Sequence, residues 1–278
     1  MSKRPETKLV PVPSTNIIPE RDVGKPPILE ARHLGIDFGG LTAVDEFDMA
    51  IGRTEIAGLI GPNGAGKTTV FNLLTKVYQP TRGTILLDGR DTYNMNTVQV
   101  NRFGIARTFQ NIRLFSSLTV EDNVKLGLHN HINYGMWRGI FRLPGYWKGE
   151  KQAHERALEL LSIFDMQDMA KYQAGSLPYG AQRRLEIVRA LATKPSLLLL
   201  DEPAAGMNTA EKAELDVLLK KILDTGVAIL VVEHDMKLIM NVSDYIYVLC
   251  NGMLLAQGTP KEIQENPEVI AAYLGGDE

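Results

Sequence analysis

Four residues at a fixed spacing give the strongest chemical signal in the chain. The segment 61–69 reads GPNGAGKTT, and Gly61, Gly66, Lys67 and Thr68 fit the pattern G-x-x-x-x-G-K-[ST]. In such a loop, backbone N–H groups surround a phosphate, the lysine reaches the β- and γ-phosphates, and the hydroxyl holds Mg²⁺. We therefore predict a nucleoside-triphosphate site formed by Gly61, Pro62, Asn63, Gly64, Ala65, Gly66, Lys67, Thr68 and Thr69.

The residues on either side of this loop have the required context. Residues 55–60 (EIAGLI) read as a strand, and the residues after the loop place four apolar side chains on one helical face, Val70, Phe71, Leu74 and Val77. A helix that begins at the loop adds about half a positive charge where the phosphate would bind. A chance glycine turn is the alternative. The spacing does not match the dinucleotide fingerprint G-x-G-x-x-G.

Two acidic residues, Asp201 and Glu202, follow the apolar run 197–200. Such a run is typical of a strand buried on both faces of a parallel sheet, and ligands bind at the carboxyl ends of these strands. We expect Asp201 to order the Mg²⁺ shell, directly or through water. We expect Glu202 to polarise a water for attack on the γ-phosphate. A pair of solvated acids in a turn is the alternative.

Three further residues are candidates for the same site. His234 follows a second apolar strand and could contact the γ-phosphate, although a histidine that only caps the strand is the alternative. Gln110 is predicted to end another strand, where a lone glutamine is more often structural. Phe38 could stack on an adenine ring, but its alternation with Leu34 and Ile36 equally suits a core residue.

The composition is that of an ordinary globular protein. Of 278 residues, 44% are hydrophobic and 23% are charged, and the net charge of −3 argues against a nucleic-acid binder. The single cysteine, Cys250, excludes an internal disulfide and favours a reducing compartment. No apolar run approaches the roughly 18 residues of a membrane span, and the N-terminus lacks a signal-peptide core. These features predict a cytoplasmic protein that could dock on a membrane partner.

Strand and helix patterns divide the chain into three regions. Residues 1–27 are rich in proline and charge and are expected to form a mobile tail. Strand signals begin at residue 28 and return from residue 196. Between them, about 111–195 is mostly helical, with an amphipathic stripe over 150–164. We therefore predict an α/β nucleotide-binding domain over 28–278, with a helical subdomain inserted at about 111–195.

Three other segments carry weaker or more local signals. Residues 244–258 are predicted to form a hairpin that turns at Asn251-Gly252, followed by a helix with a capping box at 259–262. The stretch 134–148, rich in aromatic and basic residues, is interpreted as a protein-partner face. A nucleic-acid surface and an irregular loop are its alternatives. The pair at 129 and 131, His-x-His, is too weak a pattern to predict a metal site.

Taken in this order, the motifs resemble those of the ATP-binding subunit of an ABC transporter, over about residues 28–275. The loop with Lys67 and Thr68 matches the Walker A motif, and Asp201 with Glu202 matches Walker B and its catalytic base. The remaining matches are Gln110 to the Q-loop, His234 to the switch histidine and Phe38 to the aromatic residue that stacks on adenine. The resemblance implies an α/β P-loop NTPase core, ATP and Mg²⁺ as cofactors, and Thr68, Gln110 and Asp201 around the metal.

The segment 177–186, LPYGAQRRLE, stands where the family has its signature LSGGQ. The resemblance implies that two such subunits, identical or paralogous, enclose two ATP molecules head to tail. Each signature then contacts the nucleotide of the other subunit, here through Pro178, Tyr179, Gly180 and Gln182. ATP-driven closure and opening would drive membrane permease subunits, with the chain bound peripherally at the cytoplasmic face. A separate substrate-binding protein is also implied, and no nucleic acid.

Finer features resemble the branched-chain amino-acid importers within this family. They are the segments 107–115, 179–187, 201–206, 233–237 and 271–275. An ABC motor for another cargo, such as urea and other amides, other amino acids or exported lipid, is the alternative. A soluble ABC-type ATPase is less favoured because the chain has one cassette and no heptad run. A small-molecule kinase is disfavoured by the signature-like segment and by the presence of both Glu202 and His234.

Two residues depart from the family pattern. Pro178 replaces the signature serine, which removes a hydroxyl and a backbone N–H that could meet a γ-phosphate, and proline is tolerated in the first turn of a helix. Asn208 stands where many members have aspartate. We expect the site completed by this signature to be the weaker of two unequal sites.

Overall fold

The structure, a computed structural model, describes residues 27–128 and 144–274. The predicted tail lies outside the described residues except for residue 27. The histidines at 129 and 131 and most of the predicted partner face at 134–148 also lie outside them.

Ten strands and nine α-helices lie within these described ranges. The strands are β1 (Leu29–Phe38), β2 (Leu41–Ile51), β3 (Ile56–Ile60), β4 (Arg82–Leu87), β5 (Arg90–Asp91), β6 (Ile105–Arg107), β7 (Leu197–Asp201), β8 (Ala228–Val232), β9 (Tyr245–Cys250) and β10 (Met253–Gly258). The helices are α1 (Lys67–Leu74), α2 (Thr97–Phe103), α3 (Val120–Leu128), α4 (Pro144–Ile163), α5 (Tyr179–Leu191), α6 (Thr209–Asp224), α7 (Met236–Val242), α8 (Pro260–Gln264) and α9 (Pro267–Leu274).

The chain forms two compact units, Thr108–Pro195 and the remainder. The larger unit contains a six-stranded sheet in the order β10-β9-β3-β8-β7-β6, in which every pair except β10–β9 is parallel. Strands β3, β7 and β8 are buried along their whole length. Since neighbouring parallel strands end at the same edge, this sheet brings the glycine loop, Asp201 and the residues after β8 together.

The second sheet of this unit is antiparallel, in the order β2-β1-β4-β5. Its inner face and α1 share one hydrophobic core with strands β3, β7 and β8. Val70, Phe71 and Leu74 of α1 are fully buried in that core, as the helical pattern predicts. Val77, predicted on the same face, is exposed because the helix ends at Leu74. Burial of this helix fixes the loop that precedes it.

Several local predictions are confirmed. The hairpin turns at Asn251 and Gly252, both with positive φ. Thr259 caps α8 in a capping box with Glu262, and Pro260 occupies the first turn. One boundary is wrong: β6 ends at Arg107, because it is an edge strand that pairs only with β7 over 105–107. Gln110 therefore lies three residues beyond the strand.

A buried carboxylate, Glu121, joins three segments of the unit Thr108–Pro195. Its side chain on α3 is 3% exposed, and it lies 2.5 Å from Nζ of Lys125, 2.7 Å from Nζ of Lys171 and 2.6 Å from Nδ1 of His154 on α4. Burial acts to raise the pKa of Glu121, but the hydrogen bonds from these three residues lower it to about 2. The ionised form of Glu121 therefore stabilises this unit.

We expect the Glu121→Gln variant to lose about 2–3 kcal/mol of unfolding free energy at pH 7, because its folded pKa is below its unfolded value of 4.5. This contribution is present above pH 4.5 and is lost as the pH falls towards 2. Denaturant melts of the wild type and the variant at several pH values measure this contribution. The difference in unfolding free energy between the two proteins should narrow below pH 4.5. Glu155→Gln, at an exposed pair with Lys151, is the control and should change stability little. A difference in unfolding free energy that does not change with pH would contradict a stabilising role for ionised Glu121.

Candidate nucleotide site

The glycine loop runs from the end of β3 to the first residue of α1. A Cβ atom on Gly61 would lie 2.1 Å from the carbonyl oxygen of Leu249, and one on Gly66 would lie 2.9 Å from that of Ala43. Both glycines also have positive φ, 157° and 103°. Gly64, with φ of 78°, has nothing within 4 Å of such an atom. Two of the three glycines are thus required by the protein's own packing, which the motif alone does not reveal.

Lys67 is folded back onto this loop. Its Nζ donates hydrogen bonds to the carbonyl oxygens of Gly61 at 2.6 Å and Pro62 at 2.9 Å. Burial lowers the pKa of Lys67, and the nearby charges of Glu202 and Asp201 act in the opposite direction. The structure therefore places this cation at the loop and within the field of both acids, as a phosphate-binding role requires.

Glu202 and His234 form a pair at the carboxyl edge of the sheet. The Nε2 atom of His234 lies 2.8 Å from Oε1 of Glu202. Glu202 has a φ of 47°, which is costly for a residue with a Cβ, and its N–H donates to the carbonyl of Val232 at 2.9 Å. The backbone bond to β8 helps to hold this conformation. The structure therefore brings these two predicted residues into contact.

A second buried acid, Glu233, lies beside this pair and was not predicted as a site residue. It accepts hydrogen bonds from the N–H groups of Ala204 at 2.6 Å and His234 at 3.2 Å. Burial raises the pKa of Glu233, while backbone N–H groups act to lower it. Glu233 ties the turn after Asp201-Glu202 to the segment that carries His234. The only sequence signal is an acid at the end of a buried strand.

Asp201 ends β7 and is bound by Arg107, another residue that sequence reasoning did not assign to the site. Nη2 of Arg107 donates to Oδ2 of Asp201 at 2.7 Å, and both side chains are 9% exposed. The hydroxyl residue Thr68 lies in the first turn of α1 and is exposed. The described residues contain no cluster of three or more His, Cys, Asp or Glu side chains suited to a metal ion. A carboxylate and a hydroxyl are hard oxygen donors that fit Mg²⁺, which keeps several waters and takes few protein ligands beside a nucleotide.

Phe38 lies at the surface rather than in the core, although Leu34 and Ile36 are buried as expected. Its side chain is 42% exposed, and its ring centre lies 5.2 Å from that of Tyr78 in an edge-to-face arrangement. The core alternative for Phe38 is therefore wrong. An exposed ring supported by a second aromatic residue can stack on a base.

Gln110 and the signature-like segment lie in the unit Thr108–Pro195. Gln110 is exposed, and its carbonyl accepts from Nη2 of Arg183 at 2.8 Å. The same fully buried arginine donates to the carbonyl of Phe109 at 2.6 Å and to Oε2 of Glu186 at 2.9 Å. Arg183 and Glu186 thus anchor the segment that carries Gln110 to α5.

Pro178 occupies the N-cap position of α5, not its first turn as expected. Its carbonyl accepts from the N–H of Gln182 at 3.0 Å, whose side chain donates to the carbonyl of Leu177 at 2.8 Å. Tyr179 is exposed and Gly180 is buried in the first turn. A proline at the N-cap leaves the helix intact, because that position needs no intrahelical donor.

Asn208, the second departure from the family pattern, caps α6. Its Oδ1 accepts from the N–H groups of Ala210 at 2.9 Å and Glu211 at 3.1 Å, in a capping box with Glu211. Asparagine and aspartate cap helices about equally well. The replacement therefore preserves the local structure.

A loop that can surround phosphates, a lysine and an acid pair at the end of a parallel sheet define a P-loop ATPase, and the chain belongs to the ABC transporter family. The family model for ABC transporters matches residues 44–205. A second model, for branched-chain amino acid ATP-binding cassette transporters, matches residues 253–278. The predicted family and α/β fold class are confirmed, and the chain is an ATP-binding cassette whose ATPase activity is coupled to transport.

Among known proteins, two similar relatives are the high-affinity branched-chain amino acid transport ATP-binding proteins BraF of Pseudomonas aeruginosa and LivG of Escherichia coli. Each is 46% identical over 250 residues, covering 90% of this chain and 98% of the relative. A nucleotide-free cassette from an ABC transporter superposes with a TM-score of 0.77 at 27% identity, covering 89% of this chain and 98% of that chain. The ADP conformation of MJ1267, an ATP-binding cassette of an ABC transporter, superposes with a TM-score of 0.78 at 27% identity, covering 90% of this chain and 99% of that chain.

None of the helices in 27–128 and 144–274 combines the length and the apolar character needed to cross a membrane.

Proposed function

We propose that this protein is the ATP-hydrolysing subunit of a membrane importer for branched-chain amino acids. The observation that carries the proposal is the Lys67, Asp201, Glu202 and His234 group of the larger unit, in a chain 46% identical to proteins named for this transport. The C-terminal match to the branched-chain amino acid model supports this cargo over urea, other amides or lipid. The chain would lie at the cytoplasmic face of the membrane.

The catalytic roles follow from charge and geometry. Lys67 and the N–H groups of the loop bind the phosphates of ATP, and Phe38 stacks on the adenine. Glu202 accepts a proton from the attacking water, and His234 holds Glu202 and contacts the γ-phosphate. Because a hydroxyl and a carboxylate are oxygen donors of the kind that Mg²⁺ prefers, Thr68 and Asp201 would hold Mg²⁺.

The unit Thr108–Pro195 is proposed to be the helical subdomain inserted in the ABC domain of residues 28–278. A docking role for this unit is supported by its helices α3, α4 and α5 and by its exposed apolar side chains, which include Phe115, Leu126 and Tyr172. Its partners would be the permease subunits, a second cassette and, for delivery of the cargo, a separate substrate-binding protein. Residues Pro178, Tyr179, Gly180 and Gln182 would face the nucleotide of the second cassette.

We expect Pro178→Ser to raise ATP turnover or tighten ATP binding in the assembled transporter. The serine would restore a hydroxyl and a backbone N–H at the N-cap of α5, where donors can reach an anion. Steady-state hydrolysis and ATP titration of the complex measure the change. Asn208→Asp, at a cap that tolerates both residues, serves as the control. If Pro178→Ser leaves both turnover and affinity unchanged, the two sites are not made unequal by this proline.

The experiment that tests the proposed function is uptake of labelled leucine, isoleucine and valine. Cells that carry the wild type or Lys67→Ala are compared, and urea and other amino acids complete the panel. We expect the variant to lose uptake of the three branched-chain amino acids and to keep uptake of urea and the other amino acids. Intact uptake across the panel would contradict the proposed cargo. Loss for a different compound would assign the motor to that compound.

A further inference from the structure

Arg107 occupies the space between the helix of the glycine loop and the acid at the end of β7. Its Nη2 donates to Oδ2 of Asp201 at 2.7 Å, and its Nη1 donates to Oδ1 of Asn72 at 2.7 Å. The guanidinium carbon lies 5.3 Å from the ring centre of Phe71. One planar group thus contacts β7 and α1 at the same time.

The two partners of Arg107 come from the two halves of the nucleotide site. Asn72 lies on α1, four residues after Thr68, and Asp201 follows the buried run of β7. Arg107 reaches both because β6 pairs with β7, so that Arg107 stands in register with Leu199. A guanidinium offers a rigid fork of donors, which a lysine ammonium lacks. The fork fixes the distance between helix and carboxylate.

We propose that Arg107 is a positioning residue for the nucleotide site, which orients the Asp201 carboxylate and weakens its attraction for Mg²⁺. The proposal rests on the role proposed above for Asp201. Because Oδ2 of Asp201 is bound to Arg107, Oδ1 of Asp201 is left to interact with Mg²⁺. A positive charge 2.7 Å from the carboxylate offsets part of its negative charge. Arg107 thereby lowers the affinity of the site for Mg²⁺ and holds the Asp201 carboxylate in one orientation.

The Arg107→Met variant separates these two effects. Removal of the charge should strengthen the pull of Asp201 on Mg²⁺, so the Mg²⁺ concentration for half-maximal binding of a fluorescent ADP analogue should fall roughly fivefold. Loss of orientation should lower kcat about tenfold, because misplaced groups stabilise the transition state poorly. The full-length protein is used for both measurements. A role in folding alone predicts a lower Tm with the Mg²⁺ dependence unchanged, and that result would overturn the proposal.

A matched control exists within the same unit. Arg53 is similarly buried, with 8% of its side chain exposed, and pairs with Asp88 near the opposite end of β3 from the glycine loop. Arg53→Met should therefore lower stability without moving the Mg²⁺ dependence. An equal Mg²⁺ shift in Arg53→Met would show that the effect of Arg107→Met is not local and would overturn the proposal.

Two further variants keep the test decisive. Asn72→Ala removes only the second anchor of Arg107 at a partly exposed position, so it should lower kcat less than Arg107→Met and preserve folding. If Arg107→Met does not fold, an unchanged kcat in Asn72→Ala overturns the proposal.

Asp201→Asn tests the underlying site. If that variant keeps the wild-type Mg²⁺ dependence, the role of Asp201 is wrong, whereas an altered dependence there with none in Arg107→Met rejects only the role of Arg107.

Discussion

Replacement of Lys67 by alanine is expected to lower ATP hydrolysis at least ~10²-fold, as does removal of one preorganised donor from a charged transition state. Lys67 is 7% exposed, and its Nζ already lies at the loop through bonds to Gly61 and Pro62. Little reorganisation is then needed when a phosphate replaces those carbonyls. Phosphate release by the assembled complex measures the loss, and titration with ATP shows how much of it is binding.

A second buried lysine provides the control for this variant. Lys76 lies nine residues later, is also 7% exposed, and also has its pKa lowered by burial. Its Nζ contacts Oε1 of Gln79 at 3.4 Å, away from the glycine loop. Lys76→Ala should therefore cost stability and leave hydrolysis within a few-fold of wild type. Near-normal turnover in Lys67→Ala would show that the glycine loop is not the phosphate site.

We expect Glu202→Gln to bind ATP and to hydrolyse it about 10²- to 10⁴-fold more slowly than the wild type. This range is the rate enhancement of ~10²–10⁴-fold that general base catalysis typically supplies. An amide cannot accept the proton of the attacking water, but it keeps the size of the side chain. It can also keep the contact with His234 at 2.8 Å and the constrained backbone at φ 47°. Single-turnover hydrolysis and ATP binding are measured on the same preparation. A variant that neither binds nor hydrolyses ATP would show that Glu202 is not acting as the base.

Glu233→Gln is the matched control for this experiment. Glu233 is the next acid at the same edge, but its carboxylate accepts from the N–H groups of Ala204 and His234. An amide oxygen can replace one of these acceptors, so turnover should fall far less than in Glu202→Gln. Equal losses in both variants would mean that the turn geometry, and not proton transfer, limits the reaction.

Much of the fold was predictable because its signals are local. The glycine loop, the runs 197–200 and 227–232, the turn at Asn251-Gly252 and the capping box at Thr259 each depend on residues within a few positions of one another. Periodicity and turn chemistry report such short-range constraints directly. The α/β class and the order of its motifs followed from them, as did the resemblance to ABC cassettes.

Two outcomes that the sequence pattern did not decide, the end of β6 and the exposure of Phe38, depend on residues distant in sequence. The end of β6 depends on its pairing with β7 over 105–107, so Gln110 lies beyond the strand. Phe38 fits the alternation of β1, but the tertiary structure leaves its ring exposed beside Tyr78. Alternation identifies which residues share a face and cannot say what covers the end of that face.

By itself, the sequence selected the candidate residues for the chemistry. Lys67, Thr68, Asp201, Glu202 and His234 stand at the ends of segments whose local patterns fix them as strands or helices. Only the tertiary structure decided how they are held. The order β3-β8-β7-β6 brings Glu202 to His234, and Arg107 to Asp201 across 94 positions. The physical reason is that strand order and register are properties of the whole sheet. Contacts between side chains on different strands exist only once the sheet has formed.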